Sequence, residues 1–305
     1  MGTETEVQAR KLEALSHALG PAVLQALREP AVLEVMVNPD GRVFLDEIGA
    51  GRRDTGEVLA PEARERTIRL VADHVGESVG PQEPRLSGTL PSGERFQGML
   101  PPVTTGPAFA IRKRPSIIFR LADYVRDAAL SAEQAEALRS AAIERRNLLI
   151  TGGTGSGKTT LANAMLAEPA FANDRIVLIE DTPELQCSST DLVTLLTRRS
   201  APLVGVGDLV RDALRLRPDR IIVGELRDGA AALEALKAWN TGHPGGLATL
   251  HANSACEAVS RLEDLLAEAS PASPHRLIVQ AIDLVVHISR TNCGRRVDEI
   301  VSLGV

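Results

Sequence analysis

The sequence predicts an α/β protein of two domains, the second built on a mostly parallel sheet around a phosphate-binding loop. Three observations carry this. First, the run LITGGTGSGKTTLANAML at 149–166 satisfies G-x-x-x-x-G-K-[ST] at Gly152, Gly157, Lys158 and Thr159, with an apolar strand before it and a helix-forming run after it. Second, later apolar runs deliver polar side chains at their C-terminal ends: IVLI leads into Glu180 and Asp181, RIIV into Gly224 and Glu225, and LATL into His251, with LVVHIS closing the series. Near-continuous apolar strands alternating with helical segments imply a parallel sheet covered on both faces, whose carboxyl edge is where ligands sit. Third, the loop lies at the middle of 305 residues, a length that suits two domains, so a first domain precedes it.

Taken in order, residues 5–27 place Val7, Leu12, Leu15, Leu19, Val23 and Leu27 at helical spacing. NPDG at 38–41 then makes a turn between two short extended runs, Val32–Val37 and Val43–Leu45. Pro61 opens a helix with acids in its first turn and Gly76 at its end. LPSGERFQGMLPPV and FAIRKRPS read as strands around a PSGE turn, completing a small α/β domain assigned to 1–123. The second domain, 124–305, begins with a helix capped by Ser131 and Gln134 that runs through Ile143 into the phosphate-loop strand. RIIV is expected beside that strand, bringing Glu225 close to the loop.

Composition narrows the partners. Aromatic content of 2% leaves little for a stacking surface, and a net charge of −6 gives no basic footprint, so direct nucleic-acid binding is disfavoured. Arginine pairs at 52–53, 145–146, 198–199 and 295–296 read as solvated surface. Cys187, Cys256 and Cys293 are scattered and odd in number, as in reduced thiols of a cytoplasmic protein. No stretch approaches the length of a membrane span, which leaves peripheral association as the only membrane role.

The chemistry follows from the residue types. In the loop Gly152, Gly153, Thr154, Gly155, Ser156, Gly157, Lys158, Thr159 and Thr160, backbone N–H groups turn inward around phosphate, Lys158 reaches the β- and γ-oxygens, and the Thr159 hydroxyl ligates Mg²⁺. Hydrolysis of ATP also needs an acid near the metal and another to orient water. Glu225 is expected at the metal with Thr159, and Glu180, from the second acidic strand, as the base. Strand-ending acids also serve as helix caps, a rival reading for each taken alone. In TGHPGGLATLHANS, His251 is expected to bond the γ-phosphate or a catalytic acid, with a structural histidine as the rival; His243 and His251 lack a third ligand at metal-binding spacing.

GGTGSGKTT, IVLIEDTPE, RPDRIIVGELRDGAA and TGHPGGLATLHANS, in that order, resemble the Walker A, Asp box, atypical Walker B and His box of the secretion traffic ATPases. These motors serve type IV secretion, type II secretion and type IV pili. LREPAVLEVMVNPDGRVFLDEIGAG, LPSGERFQGMLPPV and FAIRKRPS are similar to the TrbB subfamily of conjugative-transfer ATPases, and the C-x-x-C pairs of many type II enzymes are absent. The resemblance implies a PAS-like N-terminal domain and a RecA-like ATPase domain. It further implies a homo-hexamer at the cytoplasmic face of the inner membrane, bound to inner-membrane secretion-apparatus proteins. Arg95 and Arg112 match positions that lend arginine to the nucleotide. The expected activity is a Mg²⁺-dependent ATPase driving pilus biogenesis or substrate transfer. A type IV pilus assembly or retraction ATPase is the alternative within the class; a small-molecule P-loop kinase and a non-catalytic nucleotide-binding scaffold are the rivals outside it.

Overall fold

The computed structural model describes residues 4–48, 50–113, 118–198, 201–269, 274–291 and 294–303. Arg199, Cys293 and the 114–116 end of the FAIRKRPS run lie outside them. The chain divides into two compact units, residues 1–117 and 118–305. The first domain thus ends a few residues before the expected 123, because Leu121 and Tyr124 are buried in the core of the second unit.

The first unit comprises α1 (Glu4–Arg28), β1 (Val32–Val37), β2 (Arg42–Glu47), β3 (Gly51–Val58), α2 (Pro61–Val75), β4 (Arg85–Thr89), β5 (Arg95–Met99) and β6 (Ala108–Arg112). Its sheet is antiparallel throughout, in the order β3-β2-β1-β6-β5-β4. The N-terminal helix forms as its spacing predicts but breaks at Gly20, whose φ of 76° precedes Pro21. α2 starts on Pro61 and stops at Gly76 in the left-handed conformation, whose N–H bonds the carbonyls of Ala72 and Asp73. Leu15, Leu19 and Val23 of α1 join Ile68 and Val71 of α2 over Val35, Phe96 and Ile111 of the sheet.

The second unit comprises α3 (Leu121–Arg126), α4 (Ala132–Ile143), β7 (Leu148–Thr151), α5 (Lys158–Leu166), β8 (Ile176–Glu180), β9 (Leu192–Leu196), α6 (Val206–Ala213), β10 (Arg220–Val223), α7 (Gly229–Asn240), β11 (Leu247–Leu250), α8 (Ala255–Ala269), α9 (Pro274–Ala281), β12 (Leu284–Thr291) and β13 (Gly294–Ser302). The capping box of α4 forms as its sequence predicts: the Gln134 N–H donates to Ser131 Oγ at 3.0 Å, and the Ser131 N–H donates to Gln134 Oε1 at 2.9 Å. The sheet order is β13-β12-β7-β11-β10-β8-β9, parallel except for β13. Every residue of β7, β8, β10 and β11 is buried. Alternate residues feed two cores: Leu149, Val177, Ile179, Ile221 and Val223 on one face, and Leu148, Ile150, Ile176, Leu178 and Ile222 on the other.

One expectation about position is overturned. RIIV, as β10, does not lie beside the phosphate-loop strand β7; β11 stands between them and pairs with both. The physical reason is crossover topology. Four buried, mostly apolar parallel strands look alike to a sequence reading, and their lateral order depends on which helices pack on which face.

At the opposite end of β10 from Glu225, Arg220 is 2% exposed, with Nε 2.6 Å from Asp174 Oδ2 and Nη2 2.9 Å from the Ala142 carbonyl. Its guanidinium lies 4.4 Å from the centroid of Phe171, and Arg145 also pairs with Asp174. Asp174→Ala strands a buried guanidinium, so it is expected to destabilise the protein by about 3 kcal/mol. Adding Arg220→Met removes the stranded charge and should recover part of that loss. Urea denaturation of the two variants checks both; an unchanged midpoint in Asp174→Ala would show that the pair holds nothing together.

Candidate functional site

β7 ends at Thr151, and the chain turns through Gly152 to Gly157 before α5 begins at Lys158. Two glycines are required by contact as well as by φ. A Cβ on Gly152, at φ 158°, would lie 2.2 Å from the Ile288 carbonyl oxygen. A Cβ on Gly157, at φ 100°, would lie 2.6 Å from Arg295 Cδ. Between them Gly153, Thr154 and Gly155 are exposed, while Ser156 is buried and its Oγ has no hydrogen-bond partner. The loop tip is open to solvent, and the positive end of α5 lies directly behind it. Thr159 and Thr160 fall in the first turn of that helix, both half-buried.

Lys158 is 8% exposed. Its Nζ donates to the Gly152 and Gly153 carbonyls at 2.8 and 2.9 Å, and to His251 Nδ1 at 3.3 Å. An ammonium only donates, so Nδ1 is an acceptor and the neutral ring carries its proton on Nε2. Burial, and then the Lys158 charge, hold the His251 pKa below the usual imidazole value against the opposing pull of Glu225, which agrees with a neutral ring at pH 7. His251 Nε2 stands 2.9 Å from Glu225 Oε1. The N–H does not aim at that oxygen, which remains buried without a well-formed hydrogen bond.

The other Glu225 oxygen is engaged by Arg227, whose Nε lies 2.6 Å from Oε2. Arg227 Nη1 reaches Asp181 Oδ2 at 2.8 Å, and Asp181 Oδ1 accepts from the Thr197 hydroxyl at 2.9 Å. Burial works against the Arg227 charge, but Glu225 and Asp181 outweigh it and raise its pKa. Beside these groups opens a cleft of about 310 Å³ with walls from Asp181, Thr197, Leu203, Gly205, Glu225 and Arg227.

Lys158, His251 and Glu225 therefore meet at one sheet edge, as strand-end placement predicts. Glu225 reaches Lys158 through the histidine of the intervening strand rather than directly from a neighbouring one. Glu180 has a different environment. It is 4% exposed, and its Oε1 accepts the backbone N–H groups of Glu184 and Leu185, each at 2.9 Å. Gly224 packs against it, since a Cβ there would lie 3.0 Å from Glu180 Cγ. In the first unit, Arg95 and Arg112 are cross-strand partners in the β5–β6 register. Arg227 was missed by sequence reasoning; its only signal is an arginine two residues after a strand-end acid.

The hydroxyl of Thr159 and the carboxylate of Glu225 are the hard oxygen donors that Mg²⁺ takes. The buried Glu225 Oε1, without a well-formed hydrogen bond, fits a cation or its water shell. The phosphate loop, with its open tip and inward-held lysine, fits a nucleotide.

Comparison with known proteins identifies relatives of the chain. The family model described as Type II/IV secretion system protein matches residues 62–301. The conjugal transfer protein TrbB of Rhizobium radiobacter is 46% identical over 304 residues, covering 99% of this chain and 93% of that protein. Among solved structures, the VirB11 ATPase of the Brucella suis type IV secretion system, in complex with sulphate, is 27% identical. The match covers 97% of this chain and 96% of that one, with a TM-score of 0.50. The pilus retraction motor PilT with bound ADP shares the fold at a TM-score of 0.65, 19% identity and coverage of 92% and 82% of the two chains.

Proposed function

The chain belongs to the type II/IV secretion system protein family, and from that premise we propose that it is a secretion traffic ATPase that hydrolyses ATP with Mg²⁺ to drive conjugative type IV secretion. The observation that carries the chemistry is the line of contacts from Lys158 through His251 to Glu225, which ties the phosphate lysine to a strand-end acid. In this reading the loop amides and Lys158 hold the phosphates, and Thr159 and Glu225 hold Mg²⁺, which when bound neutralises phosphate charge. Glu180 orients and deprotonates the attacking water. His251, neutral, accepting from Lys158 and standing 2.9 Å from Glu225, relays the state of the phosphates to Glu225.

The larger assembly rests on the resemblance: a homo-hexameric ring, peripheral to the inner membrane and docked on secretion-apparatus proteins, with Arg95 and Arg112 as arginines that serve the phosphates. Among the described residues no helix is long and apolar enough to cross a membrane. A conjugative role is favoured over a pilus motor by 46% identity to a conjugal transfer protein, against a likeness of fold alone to PilT. The deciding experiment gives the purified chain ATP and Mg²⁺ with no acceptor molecule and follows phosphate release. Steady release is expected, and a strict need for a phosphoryl acceptor would instead mark a kinase. A strictly monomeric mass with Mg²⁺ and an ATP analogue would remove the ring while leaving the ATPase reading intact.

A further inference from the structure

The hairpin of β12 and β13 flanks the phosphate loop. β12 runs parallel to β7 with His287 opposite Thr151, and the Ile288 carbonyl closes on Gly152. β13 then returns antiparallel, placing Arg295 over Gly157: from the position a Gly157 Cβ would take, Cδ is 2.6 Å away and Nε 2.9 Å. Gly157 caps the N-terminus of α5. The guanidinium stem thus lies against the first turn of the helix whose positive end faces the loop, on a glycine that no other residue can replace without displacing the arginine.

The electrostatics of this contact point to an anion. Arg296, the next residue, pairs with Asp298 at 2.7 Å. Arg295 makes no ion pair or hydrogen bond with any described residue. Its charge also reaches Tyr124, opposing the rise that burial imposes on the phenol pKa. Arg295, on β13 and exposed to solvent, lies against a helix N-terminus and the loop that ends at Lys158, and the mutual repulsion of these positive groups is relieved when a negative group binds among them. The carboxylates described in the site, Glu225, Asp181 and Glu180, are each engaged with other groups.

We propose that Arg295 binds the α- and β-phosphates of the nucleotide and so grips ATP and ADP alike. The assignment to those phosphates follows from its seat. Loop amides cradle the α- and β-phosphates while the lysine reaches toward γ, and Arg295 lies on the amide side, at Gly157, whereas Lys158 Nζ points to His251. The inference rests on the proposed nucleotide site.

The test is a titration of the full chain with a fluorescent ADP and a fluorescent non-hydrolysable ATP analogue, for the parent, Arg295→Ala, Arg295→Lys and Arg296→Ala. Loss of one charge-assisted contact is expected to raise both Kd values about tenfold in Arg295→Ala. The ratio of the two constants should stay unchanged, the lysine variant should recover part of the affinity, and Arg296→Ala should match the parent. Melting curves establish that the variants fold. Unchanged binding by Arg295→Ala, or weakening for the ATP analogue alone, overturns the inference while leaving the nucleotide site standing. A parent chain that binds neither nucleotide overturns both.

Discussion

Lys158→Ala is expected to bring ATP hydrolysis to background while leaving the melting temperature within about 2 °C of the parent. The side chain is 8% exposed, which would ordinarily mark a structural role. Its partners argue otherwise: the ammonium bonds two carbonyls of its own loop and one ring nitrogen of His251, and Gly153 lies at the exposed tip where water can replace the lost donor. What water cannot replace is a fixed positive charge on the oxygens that gain charge as the γ-phosphoryl departs. His251 should respond too. Without Lys158 beside it, one cause of its lowered pKa disappears, so the imidazole pKa should rise in the variant, a shift that NMR titration of the ring can follow. Turnover at the parental rate in a well-folded Lys158→Ala chain would refute the site.

Much of this arrangement is legible in the sequence because local rules govern it. The phosphate loop, the Ser131–Gln134 box and the Pro61 to Gly76 helix each carry start and stop signals within a few residues, and all form as those signals require. β7, β8, β10 and β11 are recognisable as buried parallel strands because both faces are covered and neither needs a polar residue. Strand order is not written locally, and for that reason β11 between β7 and β10 was not foreseen. The edge strands escaped for a related cause. β3, GRRDTGEV, and β13, GRRVDEIVS, are mostly polar and join their sheets through backbone pairing with one neighbour, while β9 leaves Leu192 and Leu196 exposed at the other edge. Arg227 and Arg295 share that fate. An arginine acquires a role from what tertiary structure sets beside it, here Glu225 and Asp181 in one case and Gly157 in the other.

The two acids at the edge are expected to fail in different ways. Glu180→Gln should cut the hydrolysis rate by about 10²-fold with ATP and Mg²⁺ affinity near normal, because a base acts mainly in the transition state. The amide is the proper substitution here for a reason visible only in the fold. Glu180 Oε1 also accepts the N–H groups of Glu184 and Leu185, and the glutamine carbonyl can keep both bonds. Glu180→Ala would remove them, leaving two donors unpaired at a buried site, one of them the buried Leu185, and should therefore add a loss of about 2 kcal/mol in stability to the loss of rate. Glu225→Gln should behave otherwise. It removes the charge between Arg227 and His251, so the Mg²⁺ concentration needed for half-maximal turnover should rise along with the fall in rate. It should leave stability less affected than Glu180→Ala does, since Arg227 retains Asp181. Titrating turnover and nucleotide binding against Mg²⁺ in these variants separates the roles. Parental turnover in Glu180→Gln, or a greater loss of Mg²⁺ affinity there than in Glu225→Gln, would show that the acid held by the 184–185 amides serves the loop alone and that Glu225, joined through His251 to Lys158, acts on the water.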